Sequence, residues 1–409
     1  MARVIFFSVD LHGHVNPSLG LIEKLIEKGE EVIYYSSDQF REKVEGTGAE
    51  FKSYEGLLGF GTYDGYGIDT FLIFADFILG KSRTIFDRFL DEVKALKPDY
   101  IIHDAFSHWG REYARTLGIP AVSIFANFAF IDEMAKIDPG FFMENILRAA
   151  DDPIYKKYKG NPEICTKLLE KLSKSISTKY GFKNMNVLDD IFCSKEGLNI
   201  LLTSKTFQLY SEAFDSSYLF TGYHICQRTE LDDFPYEKLD GRPLVFIAFG
   251  TIYNELVDIY KNCFEAFGNT DKQVVLSVGN KIAMEDLGDI PENFIVRRYV
   301  SQLEILKRSD VFITHAGANS VYESLCFNVP LVVVPQVFDE FLGAIMVEQA
   351  GVGVYIRDRA PSASELTEAV HKVLTETTYK DNCKRIRESF EAAGGLEYAV
   401  GEIFKFVAK

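Results

Sequence analysis

The sequence predicts an α/β protein that contains two doubly wound domains, each built on a parallel sheet. Short apolar, β-branched runs alternate with longer helical patterns along both halves of the chain. Continuous apolar strands separated by helices are typical of parallel sheets that are covered on both faces. The length of 409 residues favours two domains of ordinary size over one core.

In the first half, four runs are predicted as strands: RVIFFSV, EVIYYSS, YIIHD and AVSIF. The first helix is predicted from Pro17 to Lys28, because proline is favoured in the opening turn of a helix and Gly29 follows its end. Two further helices are predicted over 85–97 and 110–117. The loop between the first strand and the first helix then carries two histidines, His12 and His14.

The second half repeats this scheme with the strand runs LVFIAFG, QVVLSVG, DVFITHAG and PLVVVPQ. A turn-rich, acidic segment separates the halves and contains the breakers Pro235 and Pro243. We therefore expect a first domain over 1–215, a linker over 216–240 and a second domain over 241–385. Ligands of open α/β sheets bind at the carboxyl ends of the strands, so a cleft between the domains is the expected site.

The composition excludes several classes of partner. The chain has 44 basic and 60 acidic residues, which gives a net charge of −16. Such a surface repels phosphate backbones and anionic lipids, so we expect neither nucleic acid nor stable membrane association. Six scattered cysteines without paired spacing indicate free thiols in a reducing compartment. Since no apolar run is long enough to span a membrane, we expect a cytoplasmic protein.

The most specific pattern is a strand–glycine–helix unit in the second half. The strand run DVFIT ends before His315, and the helical run ANSVYESLCF begins after Gly317. The N–H groups and the dipole at such a helix start favour an anion. Asn319 and Ser320 add donors there, and Glu323 lies one turn further on, where it could accept ribose hydroxyls. Each polar residue alone also fits a helix cap or dipole partner, but together they indicate a diphosphate site.

This segment resembles the donor-binding signature of the UDP-dependent glycosyltransferases, which reads Trp-x-Pro-Gln, His-x-Gly-x-Asn-Ser-x-x-Glu and Asp-Gln. The opening HGHVNP and the total length resemble the bacterial macrolide glycosyltransferase type of family 1. The resemblance implies a GT-B fold, in which two Rossmann-like domains face each other across a cleft. It implies that the first domain binds the acceptor, that the second binds the UDP-sugar, and that a terminal helix over 386–409 packs on the first.

The implied reaction is an inverting transfer of a hexose, with glucose expected, from a UDP-sugar to a hydroxyl group. The implied acceptor is a bulky apolar molecule such as a macrolide, a flavonoid or another polyketide or phenol. The UDP-sugar is a co-substrate, and neither a prosthetic group nor a metal is expected. Because the sequence lacks an Asp-x-Asp motif, protein donors must neutralise the diphosphate. Assembly into a homodimer stays open.

Carried over position by position, the resemblance implies a set of donor contacts. Tyr299 takes the place of the Trp that stacks on uracil, Thr251 reaches the phosphates from another loop, and Asp339 contacts sugar hydroxyls. Tyr299 for Trp, Ser301 for Pro and Glu340 for Gln depart from the family pattern, and Glu340 introduces a negative charge beside the sugar. The expected donor-binding residues are Thr251, Tyr299, Gln302, His315, Gly317, Asn319, Ser320, Glu323, Asp339 and Glu340.

The catalytic expectation concerns the two histidines of the first loop. An acceptor hydroxyl needs a base near neutral pH, and histidine is suited to that task. By the resemblance, His14 takes the position of this base and Asp104 that of the acid that orients it. From the residues alone, a capping or loop-stabilising role for His14 is favoured over catalysis, and the diphosphate pattern of the second half reverses this preference; His12 is a competing base. His103 should point to the opposite side of its strand from Asp104.

The acceptor contacts are predicted only in outline. Aromatic residues near predicted loops of the first half are candidates, and Phe60, Phe74 and Phe128 represent them. For each one, a place in the hydrophobic core is an equal alternative. Three other functions stay open: a transferase for lipid-linked acceptors, a UDP-sugar epimerase of the same architecture and a sugar-nucleotide-binding regulator.

Overall fold

A computed structural model describes most of the chain. The described residues are 2–59, 68–158, 161–183, 185–226, 233–337 and 339–408. Internal contacts divide the chain into two compact units, one formed by Met1–Cys226 with Phe390–Lys409 and the other by Gln227–Ser389. Phe60, one of the predicted acceptor contacts, lies outside the described residues.

The first unit contains a sheet of seven parallel strands. The strands are β1 Arg3–Phe7, β2 Glu31–Ser36, β3 Glu50–Ser53, β4 Tyr100–Asp104, β5 Ala121–Phe125, β6 Leu198–Leu201 and β7 Tyr218–Phe220. Their order across the sheet is β3-β2-β1-β4-β5-β6-β7. The last strand falls inside the segment that the sequence analysis assigned to the linker, because its three residues are too short a run to stand out from the surrounding turns.

Helices cover this sheet. They are α1 His12–Glu27, α2 Arg41–Glu45, α3 Ile68–Leu96, α4 His108–Leu117, α5 Asp132–Ile137, α6 Pro139–Phe141, α7 Pro153–Tyr158 and α8 Pro162–Tyr180. Single 3-10 turns occupy Asp38–Phe40 and Ser211–Ala213, and π-helical turns occupy Phe142–Ile146 and Val187–Phe192.

The second unit contains a sheet of six parallel strands. The strands are β8 Leu244–Ala248, β9 Gln273–Ser277, β10 Phe294–Arg297, β11 Val311–Thr314, β12 Leu331–Val333 and β13 Gly353–Tyr355. Their order is β10-β9-β8-β11-β12-β13. The helices that follow β7 in the chain are α9 Val257–Phe267, α10 Gln302–Leu306, α11 Ala318–Cys326, α12 Glu340–Gln349, α13 Ala363–Thr375, α14 Thr377–Glu391 and α15 Gly395–Val407, with 3-10 turns at Tyr236–Lys238 and Met284–Leu287. The final helix belongs to the first unit.

Three helices begin earlier than the sequence predicted: α1, α3 and, by two residues, α4. The helix α1 starts at His12 because Leu11 is extended and its carbonyl accepts the N–H groups of His14 and Val15 at 2.9 and 3.0 Å. Pro17 therefore lies within the second turn, where it only removes one helical hydrogen bond. The predicted loop histidines are thus in the first turn of α1. The helix α3 spans Ile68–Leu96 and so begins before the predicted range of 85–97.

The sheet register brings the loops that carry polar residues together. Phe7, the last residue of β1, pairs with His103 of β4, so the segments after these two strands start side by side. In the second unit, Thr314 at the end of β11 pairs with Ala248 of β8 and with Val333 of β12. The loops after these three strands therefore leave the same edge of the sheet. Among the described residues, no helix is long and apolar enough to cross a membrane.

Candidate functional site

In the first unit, the structure brings His14 and Asp104 into contact. His14 Nδ1 lies 2.7 Å from Asp104 Oδ2, and only 8% and 3% of the two side chains are exposed. The other carboxylate oxygen, Oδ1, accepts the backbone N–H of Phe106 at 2.8 Å. Because an ionised carboxylate only accepts hydrogen bonds, a neutral His14 must donate from Nδ1 and keep its lone pair on Nε2. The pair is therefore an imidazole that a fixed carboxylate orients.

The two neighbouring histidines lie in different surroundings. The ring of His12 packs edge-on against Phe40, with 4.8 Å between the ring centroids. His103 is fully buried and donates from Nδ1 to its neighbour's backbone oxygen, Asp104 O, at 3.1 Å. A Cβ on Gly110 of α4 would lie 2.5 Å from the Cβ of His103, so this histidine packs tightly against α4.

An aromatic cluster adjoins His14, and its central member was missed by the sequence analysis. The ring of Phe106 lies 5.2 Å from that of His14. Phe74 meets Phe106 edge-on at 5.7 Å and lies 5.7 Å from Phe192. The signal that marks Phe106 is its position two residues after Asp104, at the carboxyl end of β4.

The two predicted acceptor contacts within the described residues lie in different surroundings. Phe74 is half-buried and belongs to the aromatic cluster just described. Phe128 is fully buried, with 0% of its surface exposed. This burial fits the alternative of a place in the hydrophobic core, and the role of Phe128 as an acceptor contact stays a prediction.

In the second unit, His315 occupies a narrow place between two glycines. A Cβ on Gly250 would lie 2.7 Å from His315 Nε2, and a Cβ on Gly317 would lie 2.5 Å from the same atom. Nδ1 of the ring lies 3.1 Å from the hydroxyl of Thr314. Burial lowers the pKa of His315 to about 4, so the imidazole is neutral at pH 7. It is therefore a hydrogen-bonding group rather than a charge.

The start of α11 directly follows this histidine. Gly317 is the N-cap residue and has no side chain that could cap the first N–H groups of the helix. Asn319 is half-buried, and Ser320 and Glu323 are buried, with 8% and 2% exposed. These groups form a helix start that is suited to an anion, with a buried carboxylate one turn further on.

Gln302 has a partner that the sequence analysis did not anticipate. It is the first residue of α10, and its Nε2 donates to Glu323 Oε2 at 2.7 Å. Tyr299, just before this helix, is 53% exposed. Thr251, in the loop after β8, is exposed as well.

Glu340 is the first residue of α12 and is 7% exposed. Its Oε2 accepts the backbone N–H groups of Gln336 and Val337 at 2.7 and 3.0 Å, and its Oε1 lies 3.9 Å from His315 Nε2. Burial raises the pKa of Glu340 to about 8. Asp339 is the N-cap residue of the same helix and is half-buried.

The described residues contain no group of three or more histidine, cysteine, aspartate or glutamate side chains that could hold a metal ion.

Known proteins resemble this chain along its whole length. The family described as Erythromycin biosynthesis protein CIII-like, C-terminal domain, matches residues 261–395. YojK, an uncharacterized UDP-glucosyltransferase of Bacillus subtilis, is 35% identical over 100% of this chain and 98% of its own length. The oleandomycin glycosyltransferase of Streptomyces antibioticus is 27% identical over 97% of this chain and 89% of its own length.

Solved structures share the fold. The structure of the glycosyltransferase of kitacinnamycin superposes with a TM-score of 0.80 at 23% identity, covering 99% of this chain and 98% of the other. The two parallel sheets, the predicted α/β class and the GT-B architecture are thereby confirmed. Because its sequence is more than 30% identical to that of YojK from end to end, the chain belongs to the bacterial family 1 UDP-glycosyltransferases and is a glycosyltransferase.

Proposed function

We propose that this enzyme transfers a hexose, with glucose expected, from a UDP-sugar to a hydroxyl group of a bulky apolar acceptor. The transfer inverts the anomeric carbon and needs no metal. The contact between His14 and Asp104 carries the proposal, because it supplies the base that such a reaction requires. The similarity to YojK, a UDP-glucosyltransferase by name, supports a UDP-sugar donor, and the similarity to the oleandomycin glycosyltransferase supports a natural-product acceptor.

His14 is the proposed base. Its Nε2 takes the proton of the acceptor hydroxyl while the hydroxyl oxygen forms a bond to the anomeric carbon. The bond from that carbon to the diphosphate oxygen breaks in the same step, and UDP leaves with the bonding electrons. Asp104 holds the Nδ1 proton and stabilises the imidazolium that forms. A base placed in this way contributes roughly 10²- to 10⁴-fold in rate.

The start of α11 is the proposed diphosphate site. Its first N–H groups, together with Asn319 and Ser320, donate to the phosphate oxygens and stabilise the charge that builds up on the leaving UDP. In the tautomer that we assign to His315, the hydroxyl of Thr314 donates to Nδ1 and the ring proton on Nε2 is one more donor. Thr251 adds a hydroxyl from the loop after β8.

The nucleoside and the sugar are assigned to neighbouring residues. The exposed ring of Tyr299 stacks on the base. Glu323 accepts the ribose hydroxyls, and Gln302 holds its carboxylate in place through the 2.7 Å hydrogen bond. Asp339 and Glu340 face the sugar hydroxyls.

The acceptor is assigned to the aromatic cluster beside His14. Phe106 and Phe74 present apolar ring surfaces next to the base, which suits a flat or bulky apolar alcohol. An acceptor that packs on these rings places its hydroxyl near the imidazole, so that the reacting groups are already close and oriented before the reaction.

The test is a screen of UDP-sugars against aromatic and macrolide alcohols, read by mass spectrometry. We expect His14→Ala and Asp104→Asn to reduce transfer by roughly 10²- to 10⁴-fold while UDP binding changes less than about twofold. His12→Ala tests the competing base and should retain transfer. Full transfer by His14→Ala, or a product with the same anomeric configuration as the donor, would overturn the mechanism.

A further inference from the structure

The loop that follows β8 is closed by a side chain. Asn254 donates from Nδ2 to the carbonyl oxygen of Gly250 at 2.9 Å, so residues 251–253 form the tip of a turn whose two ends are joined. Thr251, the proposed phosphate contact on this loop, belongs to that tip and is exposed. The position of its hydroxyl therefore depends on the hydrogen bond between Asn254 and Gly250.

Asn254 is itself fixed by its neighbours. It is 1% exposed, and its backbone oxygen accepts the hydroxyl of the buried Tyr260 of α9 at 3.1 Å. On another side, a Cβ on Gly279 would lie 2.1 Å from Asn254 Nδ2, so the amide occupies the space that a side chain on Gly279 would need. Asn254 is thus a fixed point of the second unit, and the half-exposed Gly250 is the group that it holds.

The hydrogen bond to Gly250 also affects His315. Gly250 has φ 75°, a left-handed conformation that glycine adopts readily. A Cβ at this position would lie 2.7 Å from His315 Nε2, so the backbone of the loop forms one wall of the space that the imidazole occupies. A shift of Gly250 would therefore move the loop that carries Thr251 and change the surroundings of His315 at the same time.

A contribution to stability does not by itself account for this amide. Asn254 Oδ1 is buried and has no hydrogen-bond partner within the part of the chain that the structure describes. A buried acceptor without a partner costs free energy, and this cost offsets the contribution of the hydrogen bond from Nδ2. The net effect of the amide on the stability of the fold is therefore small, whereas its effect on the position of Gly250 is direct.

We infer that Asn254 is a positioning residue of the donor site, which holds the loop after β8 so that Thr251 and His315 meet the diphosphate. The inference rests on the proposed function and deepens it. Asn254 touches no ligand in this account, and it acts only through the backbone of the loop.

The effect should be confined to the phosphates of the donor. The segment before Tyr299, the proposed contact of the base, is held independently of Asn254. The backbone N–H of Gly279 donates to Arg298 O at 2.8 Å, and the guanidinium of Arg298 donates to the carbonyl oxygens of Gly279 and Ile282 at 3.3 and 3.1 Å. The contacts to the nucleoside should therefore survive the loss of the Asn254 amide.

Asn254→Leu tests this inference, because leucine keeps the shape of the side chain and removes its donor. A methyl group in the place of Nδ2 cannot stay 2.9 Å from the oxygen of Gly250, since carbon and oxygen atoms in contact lie about 3.3 Å or more apart. Gly250 must therefore move. We expect roughly tenfold weaker binding of UDP, the loss of one hydrogen bond to a charged group. Uridine, which lacks the phosphates, should bind within twofold of the wild type.

The measurements are calorimetric titration of the intact protein with UDP and displacement of UDP by uridine. Asn254→Ala, which introduces no bulk, should show the same loss of UDP affinity with unchanged uridine affinity. The two variants remove the same donor in different ways, so a result that they share belongs to the hydrogen bond rather than to packing.

Asn382→Leu is the matched control. Asn382 Nδ2 donates to the carbonyl oxygen of Gly351 at 2.9 Å, and Gly351 has φ 65°. The same bond from an asparagine to a left-handed glycine thus occurs just before β13, at the edge of the sheet opposite to the loops after β8 and β11. This variant should bind UDP and uridine as the wild type does.

UDP affinity within twofold of the wild type in both Asn254 variants would overturn the inference. An equal loss of affinity for UDP and for uridine would overturn it as well, because a merely structural role weakens both ligands alike. A wild type that binds UDP no more tightly than uridine would instead refute the proposed diphosphate site, and the inference would fail with it.

Discussion

Gly317→Ala should separate the role of His315 from the stability of the fold. Gly317 has φ −60° and ψ 143°, which alanine adopts without strain. The added Cβ would lie 2.5 Å from His315 Nε2, whereas ordinary contacts begin near 3.4 Å. The ring must therefore shift by about 0.9 Å or stay compressed. A shift toward Gly250 is blocked, because the ring already lies against that residue as well.

The expected loss of UDP affinity follows from the hydrogen bond that a shift of the His315 ring removes. If the ring moves, the diphosphate loses one hydrogen bond to a charged group, which is worth about 1.5–3 kcal/mol. This corresponds to roughly 10- to 150-fold weaker UDP binding. If the ring stays, the overpacked loop costs about 1–3 kcal/mol of unfolding free energy instead. We expect the first result, because the ring moves more easily than the backbone that carries the new Cβ.

Calorimetry with UDP and urea denaturation together distinguish these outcomes. The control is Gly401→Ala in α15, where an added Cβ meets nothing within 4 Å. It should leave UDP affinity unchanged, and alanine should slightly stabilise the helix. A Gly317→Ala variant that keeps full stability and binds UDP within twofold of the wild type would refute the placement of His315 at the diphosphate.

Three further predictions concern other contacts. Gln302→Ala should weaken UDP binding by about tenfold in calorimetry, because Glu323 loses the donor that holds it, and Gln302→Glu should weaken it further through repulsion between carboxylates. Burial lowers the pKa of His108 to about 3, so below pH 6.5 the unfolded chain binds a proton that the folded protein does not. The free energy of unfolding, measured with urea, should therefore fall between pH 6.5 and 4, and this histidine should contribute at most about 1.4 kcal/mol per pH unit. His108→Asn should reduce the slope of unfolding free energy against pH. Ser362→Ala breaks the capping box of α13 and should cost about 1 kcal/mol of unfolding free energy in urea denaturation.

The sequence was sufficient for eight of the thirteen strands, because strand burial leaves a direct trace in it; β3, β6, β7, β10 and β13 were not predicted. All five residues of β4 and of β8 are buried; β8 reads as a continuous apolar run, whereas β4 begins with three apolar residues and ends with His103 and Asp104. The first residue of a helix is harder to predict from the sequence. Pro17 suggested the first turn of α1, but the helix begins at His12, directly after the extended residue Leu11.

The site was predictable only where residue types are chemically distinctive. His14 and Asp104 stand out because an imidazole and a carboxylate follow neighbouring strands, although their 2.7 Å contact depends on the register of β1 and β4. Phe106 and Phe128 are both apolar residues that follow a strand, yet one adjoins His14 and the other is fully buried. Only the three-dimensional packing distinguishes them, since apolar residues serve cores and ligand sites alike.

Uncharged hydrogen-bond donors explain how a chain with a net charge of −16 can be suited to a polyanionic donor. Burial keeps His315 uncharged. The proposed diphosphate site then consists of uncharged donors at the start of α11, whose dipole supplies the positive potential. Such a site selects its ligand through the geometry of N–H and O–H groups, which is why a small change at Gly317 should alter donor binding so strongly.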